Sequence, residues 1–280
     1  MVKTESIEAL VRLLDDPDEF VFAHVRSKIL QAGPEALTFM RESIDVLCFE
    51  HETYERIDGL IRELQFLIVK NELIQWIESS DKDLLKGICI LAKYQFPELD
   101  YKLIDEQVST IEKTVWLELN GKLTCFEIVK TINKILFEIY DFKGVDAVNY
   151  TPYHSFFNTV LEEREGTPLS LSIVYSIIAQ RLGIPIYGVS FPNHFVMAYM
   201  DEYKLHKLLN SSGNGGVLFY IDAFAKGEFL LKENLEEALQ QYKLEPKREF
   251  FEPCSHSDIL IRTLNNLIAS YTKMKRTEKV

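Results

Sequence analysis

Few side chains in this 280-residue sequence combine the residue type and the spacing that chemistry requires. The four cysteines, Cys48, Cys89, Cys125 and Cys254, stand far apart. No CxxC pair marks a zinc ribbon or a dithiol redox centre. Each cysteine has apolar neighbours, as in Ile88-Cys89-Ile90, so four reduced, mostly buried thiols are expected. His154, His206, Cys254 and His256 follow no zinc spacing, and Cys254-Ser255-His256 alone supplies too few ligands, so neither a metal nor a cofactor is expected. Gly213, Gly215 and Gly216 do not follow a strand and open a helix, which argues against a dinucleotide site. The chemistry-bearing residues that remain cluster between Glu165 and Asp222. Ser170 and Ser172 lie in the first turn and a half of an apolar helix, where a hydroxyl can cap or back-bond the chain. His194 stands at the mouth of a strand, behind Pro192 and Asn193. Arg164 and Arg262 can grip an anion or a carboxylate, or pair with the plentiful acids.

The elements that must position these residues are legible around them. Thr167 is a cap and Pro168 suits the first helical position. From Leu169 to Leu182 the chain reads LSLSIVYSIIAQRL, without an acid, a lysine or a glycine. A helix apolar all round is buried on most sides. Gly183 ends it. Strands are expected over 184–190, 194–199 and 217–222, with turns at 191–193 and 211–216, giving a small antiparallel sheet packed on the buried helix. The first half of the chain reads as successive helices. Ile7, Leu10, Val11 and Leu14 share a helical face, and Asp-Asp-Pro-Asp at 15–18 breaks it. A second helix carries Val21, Phe22, Val25, Ile29 and Leu30 and ends near Gly33. A third runs from about Pro34 to Cys48, and a fourth from Ile57 toward Trp76. Asp81-Lys82-Asp83 opens a fifth. Two more are expected over 103–120 and 124–139, separated by Gly121, and a short one over 155–163.

Composition bounds the function classes. Thirty-one basic against 43 acidic residues leave a net charge of −12, which repels phosphate backbones and anionic lipid, so neither nucleic acid nor a membrane surface is an expected partner. The basic tail Lys273, Lys275, Arg276, Lys279 is the one local exception and reads as a solvated terminus. The N-terminus carries acids inside its apolar pattern, unlike a signal peptide. No run approaches the roughly 18 apolar residues of a membrane span. A soluble, cytoplasmic protein is expected.

The segment EEREGTPLSLSIVYSIIAQRLGIPIYGVSFPNHFVMAY, followed by FYIDAFAKG, resembles the transglutaminase-like core of the bacterial "regulator of sirC expression" type. DLLKGICILAKYQFPELDY and ILIRTLNNLIASY resemble its flanking segments, so the likeness extends over roughly Asp81 to Tyr271. LLDDPDEFVFAHVRSKILQAG resembles a single HEAT-type helical repeat. These resemblances imply an α+β fold, mostly α. A helical, HEAT-like N-terminal subdomain over 1–80 joins a transglutaminase- or papain-like core over 81–246 with a small antiparallel sheet, and a helical segment follows over 247–280. The tetratricopeptide extension of such proteins is expected to be largely absent here.

In the resembled fold a Cys begins the central helix, a His sits on the next strands and an Asp follows on another. The His position falls on His194 and the Asp position on Asp222, while the Cys position falls near Pro168 to Ser170, where no cysteine stands. Three readings follow. The first is a degenerate transglutaminase-like protein that binds a peptide or small ligand, or regulates, with His194 and Asp222 retained. The second is a serine-dependent acyl transferase or amidase with Ser170 as nucleophile, His194 as base and Asp222 as orienter. The third is a scaffold whose helical N-terminus binds a protein partner. Asn193, Tyr153 and Arg164 are the candidate substrate-binding residues beside them.

Overall fold

The computed structural model describes residues 4–44, 51–201, 216–276 and 279. It divides into two compact units, one of residues 1–80 with 93–98 and the other of 81–92 with 99–280.

The first unit is helical. α1 (Thr4–Arg12) runs into a tight 3-10 turn at Leu13–Asp15, and α2 (Glu19–Ala32), α3 (Pro34–Ile44) and α4 (His51–Glu78) follow. The Asp-Pro break acts as expected: the Asp18 carboxylate accepts from the Phe20 N–H at 2.8 Å and caps α2. Gly33, at φ 67°, ends α2 in a conformation that L side chains rarely adopt. Ile7, Val11, Leu14, Val25, Ile29, Met40, Ile57 and Leu64 are buried together in one core. The far end of the expected third helix, including Cys48, lies outside the described residues.

The second unit is built around one helix. α5 (Leu84–Ala92), α6 (Tyr101–Glu118) and α7 (Cys125–Asn133) precede it, and a wider π turn, Lys134–Ile139, continues α7. β1 (Lys143–Gly144) pairs in parallel with β2 (Glu165–Gly166) across a 3-10 turn at Pro152–Ser155 and α8 (Phe157–Glu163). The central helix, α9 (Pro168–Arg181), is followed by β3 (Ile186–Val189), β4 (Val196–Met200), β5 (Val217–Asp222) and β6 (Glu228–Leu230). These four strands form one antiparallel sheet in the order β3-β4-β5-β6. α10 (Lys232–Gln241) and α11 (His256–Lys273) complete the unit.

The absence of charge along α9 before Arg181 has its consequence here, since every residue from Leu169 to Ala179 is buried. A hydrogen-bonded chain locks the helix in place. The Tyr175 hydroxyl donates to Asn133 Oδ1 at 3.0 Å, and Asn133 Nδ2 donates to the Gly227 carbonyl at 2.8 Å. One face of the sheet stacks Tyr199, Phe219 and Phe229 from successive strands, with neighbouring ring centroids 5.2 Å apart, and Phe126 of α7 stacks on Phe219 at 4.7 Å. The α+β architecture, mostly α with a small antiparallel sheet, is as expected.

Several elements differ from the sequence expectation. The helix expected over 124–139 changes to the π turn at Lys134, a change that apolar periodicity does not register. The strand expected from 194 begins only at Val196, because Asn193 adopts a left-handed φ of 57° and turns the chain. β6, α10 and the two-residue bridge between β1 and β2 carry no strong pattern of their own. The glycine-rich segment 211–215 and His206 lie outside the described residues.

Candidate functional site

The head of α9 is held by a reciprocal cap. Thr167 Oγ1 accepts from the Ser170 N–H at 3.1 Å, and Ser170 Oγ accepts from the Thr167 N–H at 2.8 Å. Ser170 Oγ also donates to the His154 carbonyl at 2.7 Å. Pro168, which has no N–H to lose, fills the first helical position. Gly166 makes the approach possible: a Cβ there would stand 2.7 Å from Ser170 Oγ. Ser170 is only 3% exposed, and no hydrogen bond joins it to His194 among the described residues. Ser172 is fully enclosed, and its hydroxyl has no partner among the described residues.

His194 and Asp222 are brought together. The antiparallel register that pairs Met197 with Ile221 carries the turn before β4 to the end of β5. There His194 Nε2 meets Asp222 Oδ2 at 2.9 Å. The second carboxylate oxygen, Oδ1, accepts from the N–H groups of Phe224 at 2.9 Å and Ala225 at 3.3 Å, so Asp222 also shapes the turn that follows it. The other ring nitrogen of His194, Nδ1, has no hydrogen-bond partner among the described residues. Phe224 stands edge-on to the imidazole, with centroids 6.3 Å apart. Its ring occupies the space above Gly144, where a Cβ would fall 2.4 Å from it.

A residue without a role in the expected triad holds the histidine turn. The Arg262 guanidinium, on α11, donates to the carbonyls of Phe191 and His194 at 3.3 Å each and to Ser190 Oγ at 3.2 Å. The ion pair with an acid that the sequence suggested for Arg262 is not formed among the described residues. A planar fork of donors suits several carbonyls in one turn.

A pocket of about 520 Å³ opens at the head of α9. Thr167 and Pro168 form part of its wall, with Tyr150 and Phe224 beside them and Asn266, Ala269, Ser270 and Lys273 of α11 opposite. Burial raises the pKa of the Tyr150 hydroxyl, which shares a hydrogen bond with Ser155. Tyr150, Phe224, Asn266, Ala269 and Ser270 were not singled out from the sequence, and Lys273 was read there only as part of a solvated basic tail. The spacing of 266, 270 and 273, one helical face, was the signal available for the α11 residues.

The candidate binding residues fall elsewhere. Tyr153 is 45% exposed on its 3-10 turn, and Asn193 is exposed at the tip of its left-handed turn. Arg164 ends α8 at φ 60°, and its guanidinium lies over the rings of Phe142, at 4.8 Å, and Tyr140, at 5.4 Å. Burial lowers its pKa, and Nη1 is enclosed without a partner among the described residues. None of the three is among the residues lining the pocket.

Of the cysteines, Cys89 is buried, Cys125 and Cys254 are half-buried, and none of these three forms a disulfide. Burial, with Asp258 nearby, pushes the Cys254 thiol up to about 11, so it stays protonated near neutral pH. No group of three or more His, Cys, Asp or Glu side chains suited to a metal occurs among the described residues. No described helix is long and apolar enough to cross a membrane.

A sheet packed on a buried helix, with a His–Asp pair at the adjoining ends of neighbouring strands, is a transglutaminase-like arrangement. The family model of the transglutaminase-like superfamily matches residues 102–265, and the chain belongs to that superfamily. The chain is similar to a UPF0162 protein of Xylella fastidiosa (strain 9a5c), 28% identical over 210 residues that span 72% of this chain and 70% of the relative. A UPF0162 protein of Vibrio cholerae is 24% identical over 161 residues, 58% of this chain and 55% of that protein. F-box only protein 21 of Mus musculus is 30% identical over 121 residues, 41% of this chain but 18% of that protein. No solved structure matches the chain.

Proposed function

We propose that this chain is a ligand-binding member of the superfamily that has given up acyl transfer. The observation that carries this reading is the head of α9. The thiol of the resembled fold is missing there, with Pro168 at the first helical position. The one hydroxyl within 168–170, that of Ser170, is enclosed and committed to Thr167 and His154. A serine nucleophile needs its base within hydrogen-bond reach, and Ser170 spends its one proton on a carbonyl. The His194–Asp222 pair then serves to fix the turn beside the pocket. The pocket's size lies within the range of small-ligand sites.

The test is direct. The protein is incubated with a fluorophosphonate probe and, separately, with a fluorescent amine and a glutamine-containing acceptor peptide. The expected results are no adduct at Ser170, no amine incorporation, and no difference between wild type and His194→Ala. An adduct on Ser170 that disappears in His194→Ala overturns this reading in favour of a serine-dependent acyl transferase or amidase.

A further inference from the structure

The two walls of the pocket at the head of α9 differ in chemistry. On one side stand Val145, Pro168 and Phe224, whose side chains are apolar. On the other, α11 presents Asn266, Ser270 and Lys273. Positions i, i+4 and i+7 fall on one helical face, so the amide, the hydroxyl and the ammonium form a row. Among the described residues none of these three side-chain groups has a hydrogen-bond or ion-pair partner. Ser270 is only 5% exposed. Three polar side chains lining an otherwise largely apolar pocket describe the outline of an amphiphilic ligand. The one charge in the row is positive, and α9 presents its N-terminal, positive end to the same space.

We infer that this pocket binds a small apolar carboxylate, with the carboxylate held by Lys273, Asn266 and Ser270 and the hydrocarbon body laid against Val145, Pro168 and Phe224. The inference rests on the reading of the chain as a ligand-binding protein and names the ligand class for that site. A carboxylate accepts from ammonium, amide and hydroxyl donors at once, and hydrogen bonds with an ionised partner are the strong ones. An alcohol of the same chain length keeps the apolar contact and loses the charge. An alkyl ammonium meets Lys273 with like charge.

Decanoate, 1-decanol and decyltrimethylammonium are titrated into the full chain by calorimetry, below their micelle concentrations. Decanoate is expected to bind most tightly. Lys273→Met is expected to weaken decanoate about tenfold or more while leaving decanol unchanged. Ala269→Trp, on an exposed helical position facing the pocket, fills the space and is expected to abolish binding with the circular dichroism intact. Decanol binding as tightly as decanoate, decanoate binding indifferent to Lys273→Met, or no decanoate binding at all each overturns the inference. The first two of these leave a ligand-binding pocket in place. Conversely, Ser170-dependent hydrolysis of a decanoate ester removes the non-catalytic reading while the carboxylate site stands.

Discussion

Ser170 can be asked directly whether it is a cap or a nucleophile, because the two roles respond oppositely to Ser170→Ala. Removing Oγ takes away the acceptor 2.8 Å from the Thr167 N–H and the donor 2.7 Å from the His154 carbonyl. Thr167 is only 6% exposed, and a buried donor left unsatisfied costs about 1–3 kcal/mol. The carbonyl loses a bond worth about 1 kcal/mol. Thr167 Oγ1 still accepts from the backbone N–H of residue 170, so half of the cap survives. The loss sums to about 2–4 kcal/mol, or about 5–15 °C in Tm for a unit of this size. Ser172→Ala is the internal control. Its hydroxyl is enclosed and without a partner among the described residues, so replacing it removes a desolvated polar group and leaves stability within about 0.5 kcal/mol or slightly raised. Both variants are measured by urea denaturation, with amide exchange followed across 165–181. The expected pattern is a lowered midpoint and faster exchange at the head of α9 in Ser170→Ala alone. Equal stability of the two variants refutes the cap, and a Ser170→Ala protein of native stability that loses a hydrolytic activity returns Ser170 to the chemistry.

Three further outcomes follow from the same geometry. Arg262→Met removes three long hydrogen bonds from the turn carrying His194, and is expected to cost about 2 kcal/mol and to speed amide exchange over 190–196, with Arg262→Lys rescuing it poorly because an ammonium lacks the planar fork. Unchanged exchange counts against a positioning role. Gly144→Ala drives a methyl to within 2.4 Å of the Phe224 ring, and is expected to cost about 1–3 kcal/mol in denaturation, with the ring displaced toward the pocket. Because the thiol of Cys254 titrates at about 11 against an ordinary 9.0, iodoacetamide at pH 8 is expected to modify it about a hundredfold more slowly than in the unfolded chain. Its raised pKa also means that the folded state keeps the proton longer. The stabilisation from this group is therefore complete below pH 9, is lost as pH rises toward 11, and is absent from a Cys254→Ala variant.

The sequence was most legible where one physical demand dominates. The charge-free run after Pro168 demands burial on all sides, and α9 is buried from Leu169 to Ala179. Asp18, Gly33 and Thr167 each mark a helix end by a single backbone requirement, and each stands at one. The pairing of His194 with Asp222 was legible through family resemblance, since the residues lie 28 positions apart and no local period links them. The pocket was not legible. Its walls come from 145–150, the head of α9, the turn after β5 and the last helix, and only tertiary packing brings these four segments together. Arg262 was noticed as a charge, but its partners are backbone carbonyls, and every residue offers one, so no sequence pattern identifies them.

A retained His–Asp pair is weak evidence for catalysis in this chain, because both residues have structural work that survives without a nucleophile. Asp222 spends one oxygen on the Phe224 and Ala225 N–H groups and the other on His194. Replacing it would orphan two backbone donors at the end of β5 as well as the imidazole. The His194 turn is fixed from behind by Arg262 and from the side by the edge of Phe224, and the same Phe224 ring forms a wall of the pocket. The shape of that wall therefore depends on the pair whether or not a proton ever moves through it. The residue that distinguishes the two readings is the one at the head of α9, since a thiol there has no structural duty that proline and a serine cap cannot perform. Its absence, together with a hydroxyl turned inward to the His154 carbonyl, is why the ligand-binding reading is favoured over the catalytic one.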